Sequence, residues 1–127
     1  MERKTVVTDS APDAIGPYSQ GIVWGNLLFC AGQIPLEPDS MRLVKGDVRS
    51  QVKRVIGNLE AVLKKGGSGL DRILRLDVFM TDLGSFPEVN AVLAEVFGSS
   101  KPARVTVEVS ALPMGAEIEM AAIAAIG

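Results

Sequence analysis

Two side chains in this sequence are suited to chemistry on a small anion. Arg104 lies in the run Pro102-Ala103-Arg104-Val105-Thr106-Val107-Glu108-Val109, and Glu119 lies in Glu117-Ile118-Glu119-Met120-Ala121. A guanidinium held on a rigid element can grip a carboxylate through two parallel hydrogen bonds, a geometry that lysine cannot reproduce. A carboxylate beside it could handle a water molecule. The sequence alone leaves open whether the two strands that carry them are neighbours. It contains no histidine and a single cysteine, Cys30. Triad chemistry at a serine is therefore excluded, a transition-metal site has almost no ligands, and no internal disulfide can form. Acid–base work falls to carboxylates, lysine or the one tyrosine, Tyr18. Tyr18 follows Pro17 in a loop, where a tyrosine is either core filler or the hydrogen-bonding wall of a pocket.

The elements that must position these groups follow from periodicity. From Val105 to Val109 apolar and polar residues alternate, the pattern of a half-buried strand, which puts Arg104, Thr106 and Glu108 on one face and the valines on the other. Gly21-Ile22-Val23-Trp24 and Leu27-Leu28-Phe29-Cys30-Ala31, separated by Gly25-Asn26, read as a hairpin. Lys4 to Val7 reads as a further strand, residues 10–17 and 35–46 as loops, and Ile73 to Met80 as a strand. Apolar residues at spacings of three and four, from Val48 to Leu63, predict an amphipathic helix with Asp47 as N-cap and Gly66-Gly67 as its stop. A second helix is expected from Ser85, where Ser85 and Glu88 have the spacing of a capping box, to Gly98.

Six strands and two helices make an α+β domain, and a length of 127 residues suits one domain spanning 1–127. Two helices cover one face of a sheet, yet Leu27 to Ala31, Ile73 to Met80 and Ile118 to Ile126 are apolar at both alternating positions. The second face therefore needs a cover, and self-association is the natural source. A formal charge of −2 with scattered basic residues gives no electrostatic footprint for nucleic acid. No apolar run is long enough to span a membrane and the first residues lead into no signal-peptide core, so a cytoplasmic location is expected. Gly66-Gly67-Ser68-Gly69 follows a helix and is no phosphate loop.

Several phrases, read together, carry more than any one of them: Gly16-Pro17-Tyr18-Ser19-Gln20, Gly32-Gln33-Ile34-Pro35, Phe79-Met80-Thr81-Asp82-Leu83, Pro102-Ala103-Arg104, Val107-Glu108-Val109 and Ile118-Glu119. In this order and spacing the chain resembles the Rid/YjgF family, whose best-known members are 2-iminobutanoate/2-iminopropanoate deaminases. The resemblance implies a chorismate-mutase-like fold and a homotrimer, with the sheets forming a central barrel and three clefts between subunits. It further implies cofactor-free hydrolysis of reactive imines or enamines to 2-oxo acids and ammonium. By the same resemblance Arg104 binds the substrate carboxylate, Glu119 holds or activates the attacking water, Tyr18 lines the pocket, and the backbone around Gly32 and Thr106 completes it. Three positions depart from the usual deaminase pattern: Ala31 where serine is common, Gly84 where asparagine is common, and Thr106 where cysteine is common. Each lost polar contact is typically worth about 0.5–1.5 kcal/mol.

Three other readings compete with the imine hydrolase. A non-catalytic protein could use the same cleft to sense a 2-oxo acid or an amino-acid-like metabolite. Ribonuclease or translation-inhibitor activity is attributed to some family members, but the acidic balance disfavours it. A chaperone-like role through exposed apolar surface is the fourth.

Overall fold

The computed structural model describes residues 1–127. Strands β1 (Arg3–Val6), β2 (Gly21–Trp24), β3 (Leu27–Gln33), β4 (Ile73–Met80), β5 (Ala103–Glu108) and β6 (Ile118–Ala125) form one mixed sheet in the order β1-β2-β3-β6-β4-β5. Helices α1 (Val48–Lys65) and α2 (Phe86–Phe97) complete the expected α+β class. All pairs are antiparallel except β4–β5, whose parallel pairing requires a crossover, and α2 supplies it.

Local chemistry accounts for most boundaries. Gly25, at φ +63°, makes the tight turn between β2 and β3. The Asp47 carboxylate accepts from the Ser50 amide at 2.8 Å and starts α1, and Gly66 and Gly67 end it, the latter at φ +87°. The expected capping box at α2 does not form. Residues Leu83–Ser85 are already a 3₁₀ turn, capped by the Asp82 carboxylate accepting from Gly84 N–H at 2.8 Å. Ser85 is thereby held at φ −86°, ψ 2°, not in the extended conformation that aims an N-cap oxygen at the helix, and it makes no side-chain bond.

Val52, Val55, Leu59, Val62 and Leu63 of α1 and Val89, Val92 and Leu93 of α2 pack on Leu28, Leu76, Val78, Met80, Ile118 and Met120 of the sheet. Alternate residues of those strands point the other way, onto a face that nothing in the chain covers. Phe29, Val105 and Val107 are each about two-fifths exposed there, and Trp24 about half exposed. One expectation fails here. The alternation in β5 predicted a half-buried strand, but every residue of β5 is exposed except Thr106, which is partly buried. The strand lies at the sheet edge, where α2 reaches the Arg104 side chain but does not bury the strand, so the period is present without the burial. No helix is long and apolar enough to cross a membrane.

Candidate functional site

The strand β6 sorts its residues by alternation: Ile118, Met120, Ala122 and Ala124 are buried under the helices, and Glu119, Ala121 and Ile123 face the open side. Opposite Glu119's end of β6 the ladder is irregular. Cys30 pairs with Ala122 but Gln33 pairs with Met120, so β3 carries an extra residue at Ala31-Gly32. Such bulges recur beside functional sites because they re-aim the chain. Here the bulge brings the Gly32 backbone against the Glu119 carboxylate, so closely that a Cβ on Gly32 would stand 2.5 Å from Oε2. Gly32 has no left-handed φ. Glycine is needed there for close approach, not for backbone freedom.

The Glu119 carboxylate has no hydrogen bond or ion pair within the chain, and burial pushes its pKa above the ordinary carboxylate value. It lines a cleft of about 300 Å³ with Tyr18, Ala31, Gly32, Gln33, Ile34 and Pro113, and with Pro12, Asp13 and Ile15 from the loop after β1. The Tyr18 hydroxyl accepts from the Ile15 amide at 3.3 Å, and its ring stays about half exposed. Cys30, one residue before Ala31, is buried, and desolvation pushes its thiol up to about 12. It is no nucleophile at neutral pH.

Arg104 lies elsewhere. It pairs with Leu76 on β4, so its side chain shares the helix-facing side with Leu76. Its guanidinium carbon stands 5.5 Å from the centroid of the Phe86 ring, a cation–π distance, and it has no carboxylate partner. Arg104 lines a second cleft, of about 450 Å³, with an apolar floor of Leu76, Leu93, Ala94, Phe97 and Pro102 and with Asn90 and Lys101 beside it. Lys101 is engaged with the Gly98 carbonyl at the end of α2, which leaves Arg104 as the free cation. Thr106, two residues on and on the same side, has a buried hydroxyl with no partner.

Of the residues singled out in the sequence, the structure therefore gathers Tyr18, Ala31, Gly32 and Glu119 in one cleft. It sets Arg104 in another, with Thr106 on its strand. Gly84 lines neither and sits in the 3₁₀ turn before α2, against the Asp82 carboxylate. Strand β4 separates β5 from β6, which answers the question of neighbours. More consequentially, Arg104 and Glu119 lie on opposite faces of their own sheet.

Comparison with known proteins assigns the fold to a family. Residues 8–126 match the family described as Endoribonuclease L-PSP. A RutC family protein of Pyrococcus abyssi is 49% identical over 124 residues, covering 98% of each chain. The chain belongs to the Rid/YjgF family. The bovine 2-iminobutanoate/2-iminopropanoate deaminase is 38% identical over 127 residues, covering 100% of this chain and 93% of that one. A crystal structure of a yeast protein superposes with a TM-score of 0.97 at 41% identity, covering 99% of this chain and all of that one. Rid/YjgF membership thus rests on the whole length of the chain, as the scattered phrases implied.

The roles of four residues escaped the reading of the sequence. Phe86 and Asn90 are one helical turn apart on α2, the spacing that puts both toward Arg104. Asn58 and Gln20 are buried amides. Asn58, wholly buried in α1, donates to the Ile34 and Leu36 carbonyls at 3.3 and 3.0 Å and so fixes the segment after β3. Its signal was present, since position 58 falls on the apolar stripe between Val55 and Val62.

Proposed function

We propose that this Rid/YjgF protein hydrolyses small 2-imino or 2-enamino acids, such as 2-iminobutanoate or 2-iminopropanoate, to 2-oxo acids and ammonium, without a cofactor. We assign the site to a cleft between two copies of the chain within a homotrimer, whose open sheet faces form a central barrel. The observation that carries this reading is the pair of unpartnered groups, a free guanidinium on one face and a desolvated carboxyl on the other. One copy can present Arg104 to another copy's Glu119, and no single copy can bring its own pair together.

Arg104 holds the substrate carboxylate by a charge-assisted pair, with Phe86 supporting the guanidinium. Glu119, its pKa raised by burial, takes a proton from water as the oxygen adds to the imine carbon. The proton passes to nitrogen to give the tetrahedral amino-alcohol; the hydroxyl proton then transfers to nitrogen as the carbon–nitrogen bond breaks, and ammonia leaves as the carbonyl forms. Tyr18 and the Ala31-Gly32 bulge line the reacting side. With alanine at position 31 there is no hydroxyl at that point of the wall, so orientation rests more heavily on Arg104.

Mixing two inactive variants tests the reading. Arg104→Ala should lose both turnover and 2-oxobutanoate binding, and Glu119→Gln should lose turnover alone. Co-refolded in equal amounts, random mixing puts both variants in most trimers, each with one intact site, so activity should return to about a quarter of the wild-type value. Recovery of nothing would mean that both groups act from one chain or that neither acts. Equal affinity of wild type and Arg104→Ala for 2-oxobutanoate would remove the clamp.

A further inference from the structure

Between β1 and β2 the chain runs through residues 7–20 without regular structure, and its backbone bonds to itself only once, Tyr18 N–H to the Gly16 carbonyl at 2.8 Å. Yet this stretch supplies Pro12, Asp13, Ile15 and Tyr18, one wall of the Glu119 cleft. A wall with so few backbone bonds of its own must be held by side chains. The side chain that reaches it is Gln20, which is 4% exposed. Its Oε1 accepts from Thr8 N–H at 2.7 Å, and its Nε2 donates to the Thr8 carbonyl at 3.0 Å and the Pro12 carbonyl at 2.8 Å, with the Ala11 carbonyl at 3.4 Å. The backbone carbonyl of the same residue accepts from Ala31 N–H at 2.9 Å, beside the bulge that seats Glu119.

We propose that Gln20 is the positioning residue of the Glu119 cleft, one amino acid that ties the Tyr18 wall to the Ala31-Gly32 floor. The chemistry selects its type. The wall offers one N–H and at least two carbonyls to a single buried point, and only a carboxamide is both acceptor and double donor there. Glutamate keeps the acceptor but sets an anionic oxygen against the Pro12 carbonyl. Methionine keeps the shape and leaves every one of those backbone groups without its partner. The role rests on the proposed reaction at this cleft, but the tethering of the wall does not.

Gln20→Met and Gln20→Glu in the full chain, with Gln20→Asn as a shortened carboxamide, test it through three measurements. Amide hydrogen exchange should show Thr8 opening at least about tenfold faster in the Met and Glu variants while the amides of α1 stay protected. The ring resonances of Tyr18, the single tyrosine, should sharpen and shift toward those of a free loop. Steady-state turnover of an imine generated in place should show KM raised about tenfold with kcat changed far less, because a loose wall weakens binding more than it alters Glu119. Gln20→Asn should fall between wild type and Met. Unchanged exchange at Thr8, or loosened exchange with an unchanged KM, would overturn the proposal. Absence of turnover in the wild type would instead refute the proposed reaction, and the exchange and Tyr18 measurements would still decide whether Gln20 holds the wall.

Discussion

Replacing Gly32 by alanine separates the seat of the proposed catalytic carboxylate, Glu119, from the stability of the fold. The new methyl carbon would stand 2.5 Å from Glu119 Oε2, 3.0 Å from Cδ and 3.2 Å from Cγ. Ordinary contact lies at about 3.5–4.0 Å, so the carboxylate must retreat by on the order of 1 Å. Gly32 has no left-handed φ, and the atoms in the way belong to the free end of a side chain, so the backbone accepts alanine. Such a substitution at a compatible position shifts stability by about 0.4–1 kcal/mol in the favourable direction. Misplacing a reacting group by that distance costs about 10²-fold in rate. Gly32→Ala should therefore melt at or slightly above the wild-type temperature while hydrolysing an enzymatically generated imine about 10²-fold more slowly. In the Glu119→Gln background the same substitution should cost little further, since both act through one carboxylate. A kcat within about twofold of wild type would refute the reasoning. So would a loss of rate that simply adds to that of Glu119→Gln.

The remaining predictions concern Glu119 and Cys30. Because burial raises the folded pKa of Glu119, folding is favoured by its protonated form: that contribution is intact below the usual carboxylate pKa and is lost as pH rises through the raised folded value. Glu119→Gln should consequently melt above wild type at neutral pH, with the difference closing below about pH 4, and equal melting temperatures at pH 7 would contradict the assigned cause. The Cys30 thiol, pushed up to about 12, should resist iodoacetamide at pH 8 in the folded protein, and Cys30→Ala should keep its turnover. Labelling at the rate of a free thiol would show that the strand opens.

Where bonding is local, the sequence was legible. Gly25-Asn26, Asp47 and Gly66-Gly67 act on neighbours a few residues away, and each turn or cap lies where its chemistry puts it. The capping box at Ser85 failed for an equally local reason, competition from the Asp82 turn, which the serine–glutamate spacing does not report. The relation of Arg104 to Glu119 depends on which strands pair and in what register, and alternation within a strand defines two faces without saying which is covered. That is why β5 kept its period and lost its burial. Gln20 was quoted within a phrase, but its role arises from bonds to Thr8 and Pro12, whose loop has no periodicity to announce it.

The strand order also sets a timetable. Strand β6 follows every other strand in the sequence, yet it lies between β3 and β4 and is the only link between the hairpin half of the sheet and the β4–β5 half. During synthesis, β1 to β5 leave the ribosome as two unjoined pieces, each with a raw edge awaiting the same missing neighbour. Closure is a long-range event, pairing Leu27 with Ala125 and Phe79 with Glu119, and such contacts form late because the intervening chain must first be brought together. The segment that sutures the halves carries the carboxylate. A chain that stalls before Ile118 has neither a continuous sheet nor Glu119, so a joined sheet and the carboxylate arrive together or not at all.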